Sequence, residues 1–484
     1  MNIRNISINI GKALLVNALF MLISVLVSIA YGFDSGFTPL LISCILTFLT
    51  GAFPMIFNRS RSQDSLKDGY VTIVLAWLLS FIFGMMPYVL WGGEFTLMNA
   101  WFESVSGYTT TGSTILTDIE ALPHSLLFWR SSTHFIGGLG VIVFLLLILP
   151  DSSPFKLKLT HLEISSIAKD GYRFKGSKTL KVILSVYIGL AIAETLCLWI
   201  AGMSLFDAVN HAFSTVATGG FSTKNMSVMH YDSTAIDIII MVFMTLSAMH
   251  FGVIFAIFAQ GSLKPLGNPV TKYYLGIIVV LSLMITGSLM INGGYSSFGE
   301  AMLDSSFQTV SFLTTTGFGQ SDTAMWPMMA NVLLIFASIH CGCAGSTTGG
   351  LKADRVLIAG KGIAGEFRRK LSPSSVFKIK LGNSHISEDT VSTIFLFIVM
   401  YLIVLFLSFV GVMFCGVEIS EAFSGTVASL GNVGPGIGSL GTMGNYAAQP
   451  EAAKFIYTVD MLLGRIEIFP ILILISMMFK RKQS

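Results

Sequence analysis

Charge is what this chain has least of. Its 484 residues are 11% charged, against roughly 25% in soluble domains. At 53% hydrophobic residues and a mean hydropathy of +0.76, it cannot cover its own surface with charge, so lipid must cover it. That excludes a set of soluble domains and leaves a polytopic membrane protein. The net charge of +3 is too small to point to nucleic acid. Cysteine is scarce as well. Cys44, Cys197, Cys341, Cys343 and Cys415 are odd in number, scattered and set in apolar context, which excludes a disulfide framework. No Ser/His/Asp set or paired carboxylates stand out, so nothing reads as an enzyme.

Long apolar runs are what the chain does have. Arg4 and Lys12 precede one from Ala13 to Ala30, too long for a signal-peptide core and soon followed by a second. Runs long enough to span a bilayer lie near 10–31, 37–57, 70–92, 122–149, 178–202, 234–261, 271–292, 326–343, 389–415 and 452–479, which predicts ten spans. Shorter stretches at 97–108, 205–217, 302–314 and 419–430 read as re-entrant helices. With these spans, 25 of the 29 Lys and Arg residues fall on one side, which marks it as cytoplasmic and puts both termini there. The opposite loops are acidic, with residues such as Asp118, Glu120, Asp207, Asp304 and Glu421, and concentrate cations.

The 47 glycines cluster, and the clusters recur. Aligning the short stretches on Gly112, Gly220, Gly317 and Gly434 gives spacings of 108, 97 and 117 residues. Thirteen residues before each glycine stand Asn99, Asp207, Asp304 and Glu421, the first three being good helix N-caps. Six before it stand Ser106, Ser214, Ser311 and Ala428. Each unit reads as helix, short helix, glycine tract, helix, and the first two spans stand outside the repeat. The tracts are Thr109–Gly112, Ala217–Gly220, Thr314–Gly317 and Gly431–Gly434. Non-helical backbone at membrane depth is tolerated only where it is buried in protein or lines a wet cavity. Glycine permits the dihedrals that turn carbonyls toward one axis, and a ring of carbonyls replaces the hydration shell of a monovalent cation. The rival reading, that Gly and Thr merely let helices pack closely, does not account for four such tracts, each behind a half-length helix.

Three motifs mislead. Gly107–Thr114 resembles a phosphate-binding loop but lacks the lysine that chemistry needs. Gly436–Gly441 fits GxGxxG yet follows a short helix rather than a strand. His340, Cys341 and Cys343 could hold a soft metal, but no fourth ligand is evident and small packing residues are the better reading.

The stretches YTTTGST (108–114), WRSSTHFIGGLG (129–140), ATGGFST (217–223), LTTTGFGQSD (313–322), CAGSTTGGLKADR (343–355), GNVGPGIG (431–438) and GRIEIFP (464–470) together resemble the potassium-translocating subunits of the Trk/Ktr/HKT superfamily, over essentially the whole chain. The resemblance implies an all-α bacterial inner-membrane protein. Its fold would be four membrane–pore–membrane repeats around one pseudo-fourfold pore, usually in a homodimer. Two extra N-terminal helices would occupy 1–69, and the repeats 70–155, 156–265, 266–384 and 385–484. The filter would be Thr110, Thr111, Gly112, Thr218, Gly219, Gly220, Thr315, Thr316, Gly317, Asn432, Val433 and Gly434. The second and fourth tracts depart from Thr-Thr-Thr-Gly, so the filter is asymmetric and its selectivity for potassium less strict. The resemblance also implies a partner, a cytosolic ring of TrkA-like nucleotide-binding subunits. This chain itself shows no nucleotide site, and potassium is its transported ion.

Two further features have a place in that scheme. Gly345, Ser346, Thr347, Thr348, Gly349 and Gly350 interrupt an apolar helix, and the resemblance makes them an intramembrane loop that obstructs the pore. Arg465 lies in the last span, where an arginine is costly and marks function by default. The plainer alternative pairs it with Asp460 or Glu467. A different class of function, a proton- or sodium-coupled transporter, needs intramembrane carboxylates, for which Glu103 and Glu194 are the candidates. A membrane scaffold would leave the four tracts unexplained.

Overall fold

The computed structural model describes residues 2–57, 66–148, 176–292, 294–372, 379–382, 384–468 and 470–471. The basic residues Arg59 and Arg61, most of the 150–181 loop and the C-terminal Lys480–Lys482 lie outside the described residues. The described chain is helical apart from a two-residue antiparallel pairing of Lys380–Leu381 with Ser384–His385.

Two long helices lead, α1 (Ile3–Ala30) and α2 (Phe37–Phe57). They approach closely at Gly11 and Gly51, where a Cβ on either would press on the other's carbonyl oxygen. A buried hydrogen bond from Asn17 to Ser80 (3.0 Å) ties α1 to α3 (Leu66–Trp91). α3, the short α4 (Leu97–Tyr108) and α5 (His124–Ile148) make one helix, short helix, helix unit. The pattern returns as α6 (Gly176–Ile200), α7 (Leu205–Val216), α8 (Thr234–Ser247) and α9 (Phe251–Gln260). It returns again as α10 (Pro269–Asn292), α11 (Phe298–Leu313), α12 (Met328–His340) and α13 (Ala353–Leu371), and finally as α14 (Glu388–Phe414), α15 (Ile419–Gly431) and α16 (Glu451–Ile466).

Among the described residues, six helices are long and apolar enough to cross a membrane: α1, α2, α3, α6, α10 and α14. Their outward faces carry bare apolar side chains such as Phe48, Val279 and Leu402, a surface only lipid can cover. The ten predicted spans are not all continuous helices. The run 234–261 bends by 104° between α8 and α9. The run 326–343 yields only the 13 residues of α12, and 452–479 yields α16, which ends at Ile466 before Glu467 turns to φ 57°. Most of 467–479 lies outside the described residues. The α8–α9 break and the break after α12 satisfy each other. Cys343 N donates to the Ala248 carbonyl (2.9 Å) and Phe251 N to the Gly345 carbonyl (3.1 Å). Two helices can break inside a membrane when each supplies the other's missing partners. Hydropathy, which counts side chains, cannot register that exchange.

The short helices begin earlier than the polar or acidic residues thirteen before each glycine suggest. Thr96 and Ser204 cap α4 and α7, accepting from the backbone N of Asn99 (3.3 Å) and Asp207 (3.1 Å). Asn99 and Asp207 are therefore third-position residues of their helices, not caps. Asp304 lies inside α11, where its carboxylate accepts from Tyr295 Oη (2.7 Å).

Candidate pore and barrier

Each short helix ends the same way. The N–H of Thr111, Gly219, Thr316 or Val433 reaches back to the carbonyl of Ser106, Ser214, Ser311 or Ala428, at 2.8–2.9 Å. One residue earlier, the N–H of Thr110, Thr218, Thr315 or Asn432 bonds the carbonyl three residues back. These paired bonds, with a left-handed residue between, are the Schellman end of a helix. The left-handed residues are Thr110 (φ 53°), Thr218 (φ 56°), Thr315 (φ 56°) and Asn432 (φ 55°). Glycine usually fills that place, because a side chain in this region is strained by roughly 1–2 kcal/mol. Four strained copies persist here because burial and hydrogen bonding fix them. The bonds also explain why residues six before each glycine stand in register: they are the acceptors.

The next glycine in each tract closes a ring. Gly112, Gly220, Gly317 and Gly434 all have positive φ, from 78° to 101°. A Cβ on Gly112 would collide with the Gly219 carbonyl oxygen. One on Gly220 would meet that of Thr316, one on Gly317 that of Val433, and one on Gly434 that of Thr111. Each glycine thus abuts the carbonyl preceding the glycine of the next tract, and the fourth returns to the first. Eight of the twelve predicted filter residues make this closed circuit, and the other four, Thr110, Thr218, Thr315 and Asn432, are the left-handed residues that lead into it. Side chains brace it: Thr109 with Thr111 and Thr314 with Thr316, both at 2.8 Å, and Asn432 Nδ2 donating to Thr111 Oγ1 (3.1 Å) and the Met461 carbonyl (2.8 Å). A cleft of about 530 Å³, lined by Gly112, Gly220, Gly317, Gly434 and Arg130, opens on one side.

The interrupted segment lies on the other side. Gly349 N donates to Thr315 Oγ1 (3.2 Å), and Thr347 Oγ1 to the Val216 (3.1 Å) and Ser247 (3.3 Å) carbonyls. A Cβ on Gly349 would crowd Asn432 Oδ1 at 2.6 Å, so the loop presses against the ring. Arg465, 5% exposed, donates to the carbonyls of Thr347 and Gly137, the latter at 2.9 Å. Among the described residues no carboxylate pairs with it: Glu467 pairs with Arg355 (2.5 Å) and Asp460 accepts from Ser408 (2.5 Å). The plainer alternative for Arg465 therefore fails. Lys352, a second buried cation, donates to the Thr348 carbonyl and, at 3.3 Å, to its hydroxyl. Gly345–Gly349, Lys352 and Arg465 line a cleft of about 540 Å³. Gly350, at φ 56°, folds back against Cys341.

Other sites fall differently. His340 Nε2 is engaged by Tyr273 Oη (2.8 Å). Glu103 does not stand free for ion coupling: its carboxylate meets Arg130 at 2.7 Å, and both residues are buried. Arg130 lies inside a stretch carrying the resemblance, but its partner is 27 positions away, so local spacing gave no signal of the pair. Glu194 on α6 is fully buried beside Thr215 of α7. Arg368, Arg369 and Lys370 form the last turn of α13, with Arg369 paired to Glu366 and Glu388, both at 3.3 Å.

Comparison with known proteins bears on what this arrangement does. Residues 39–484 match the family described as TrkH, cation transport protein. The chain is 36% identical over 428 residues to the "Trk system potassium uptake protein TrkH" of Salmonella typhimurium, covering 88% of each chain. Its counterpart of the same name in Vibrio parahaemolyticus is 34% identical over 99% of this chain and 100% of the relative. The crystal structure of the potassium transporter TrkH from Vibrio parahaemolyticus superposes with a TM-score of 0.88 at 34% identity, covering 98% of each chain.

Proposed function

The chain belongs to the TrkH family of cation transport proteins, and from that premise we propose that it takes up potassium through the ring formed by its four glycine tracts. It is a membrane transport protein, not an enzyme. The observation that carries the reading is the closed circuit in which each tract glycine abuts a carbonyl of the next. Carbonyls so crowded favour a dehydrated monovalent cation over anions. The ends of four short helices converge there, and their negative dipole ends favour positive charge. The 345–350 loop and Arg465 form the barrier on the cytoplasmic side. The repeats divide near 70, 156, 266 and 385, behind two accessory helices.

The protein works as a homodimer in the bacterial inner membrane with both termini inside. The Trk system names of its relatives support partners, and a ring of TrkA-like nucleotide-binding subunits on the cytoplasmic face fits the lack of a nucleotide motif here. Expression in cells stripped of other potassium uptake tests this. Growth at low external potassium supports it, and growth no better than with empty vector contradicts it. A coupled-transport reading has one observation in its favour, the buried Glu194. Loss of a proton-dependent flux component in Glu194→Gln would favour it.

A further inference from the structure

The register that aligns the four glycines also aligns a position nine residues before each: Glu103, His211, Gln308 and Gly425. All four lie within the short helices. Three do the same job. Glu103 accepts from Thr114 Oγ1 (3.0 Å) and Ile115 N (3.1 Å), the second and third residues after Gly112. His211 Nε2 bonds Ser222 Oγ (2.9 Å), the second residue after Gly220. With its amide turned so that the oxygen faces the tract, Gln308 accepts from Gln320 N (2.8 Å) and Ser321 N (3.2 Å), the third and fourth after Gly317. In the fourth unit glycine leaves the place empty. Tyr457 Oη fills it, 2.8 Å from where a Cβ would stand, and neighbouring Ser424 accepts from Ile437 N (3.0 Å), the third residue after Gly434.

Each tract therefore leaves the ring braced from behind by its own short helix, with four different chemical groups. Only the first brace carries a full negative charge. Arg130 both neutralises it and extends it: Nη1 donates to the Ser222 carbonyl (3.2 Å), Nη2 to Thr114 Oγ1 (3.3 Å), and the guanidinium lies 3.9 Å over the Phe221 ring. One ion pair thereby clamps the exits of tracts one and two together. Tracts three and four have no equivalent ion pair among the described residues.

We propose that Glu103 and Arg130 are selectivity-determining positioning residues, whose clamp holds tracts one and two at the spacing that favours potassium over sodium. Neither residue is among the filter residues. The pair acts through Thr114, Ile115 and Ser222, and buried, charge-assisted bonds of this kind hold geometry more firmly than neutral ones. This inference rests on the reading of the ring as a potassium path. A loosened ring adapts to the smaller ion, so the ratio of potassium to sodium flux should move while potassium flux persists.

The test uses the full chain in liposomes, with potassium and sodium fluxes measured separately. Glu103→Gln keeps shape and the bond to Ile115 while removing the charge. Arg130→Lys keeps charge but loses the fork to Ser222. Both should lower the potassium/sodium ratio at least tenfold, with Arg130→Lys the milder. Glu103→Asp, which keeps charge, should recover part of the ratio. Gel filtration and melting curves identify folded variants. The double variant Glu103→Gln/Arg130→Gln, which leaves no unpaired charge, serves if the single ones do not fold. A folded variant with the wild-type ratio overturns the proposal. Absence of potassium flux in the wild type would instead overturn the functional reading on which it rests.

Discussion

Replacing Arg465 with glutamine or alanine should turn a restrained pore into a leaky one. The guanidinium does two things. It holds the 345–350 loop through the Thr347 carbonyl and anchors to Gly137 on α5, and in the proposed pore its buried positive charge would stand beside the cation's route. The charge alone would be appreciable: a cation passing within roughly 8 Å of it, at an effective dielectric of about 20, would be raised by about 2 kcal/mol. By transition-state arithmetic that slows flux about 30-fold. Losing the tether adds to this, since hydrogen bonds from charged donors contribute about 1.5–3 kcal/mol each. Lys352 remains in the variant, so the barrier falls without vanishing. Basal rubidium uptake into proteoliposomes, without any partner protein, should rise at least tenfold in Arg465→Gln. Deletion within 344–350 should act in the same direction. Folded variants of both kinds conducting no more than wild type would place the obstruction elsewhere and refute the reasoning.

Three other outcomes follow from the same geometry. Gly112→Ser puts a side chain where the Gly219 carbonyl stands and at φ 82°, a left-handed strain of roughly 1–2 kcal/mol, so the potassium/sodium flux ratio should fall about tenfold in a folded protein. Charge reversal at Arg368, Arg369 and Lys370 on the last turn of α13 should weaken capture of a TrkA-like ring, more at low than at high salt, as read by surface plasmon resonance. The purified chain alone should bind no ATP or NADH by calorimetry, and direct binding would contradict the assignment of nucleotide control to a partner.

The parts of the architecture that depend on local periodicity were legible in the sequence. α4 runs from Leu97 to Tyr108 as its apolar stretch indicates, and α15 differs from the 419–430 stretch by one residue. The tract register was legible for a sharper reason: a Schellman end fixes the number of residues between acceptor and glycine. What depends on distant partners was not. The bend after Ser247 sits inside a run whose hydropathy reads as a single span, and it is stabilised by Cys343 and Gly345, nearly a hundred residues away. The Glu103–Arg130 clamp joins a short helix to the helix after its tract, and Glu103 taken alone looks like a coupling carboxylate. Arg465 was legible as costly, but its engagement with two backbone carbonyls instead of a carboxylate emerges only when the loop is folded beneath the ring.

The central claim is that four tracts of one chain form a single cation-selective path. It is tested most directly by ion flux through the purified wild-type protein in liposomes, with potassium, rubidium, sodium and lithium compared at equal gradients. The account predicts that potassium and rubidium pass well, sodium measurably less and lithium least, because a ring of carbonyls set for a larger ion replaces the hydration of a small one poorly. Equal passage of all four ions, or passage of none in a folded and correctly inserted protein, would contradict it.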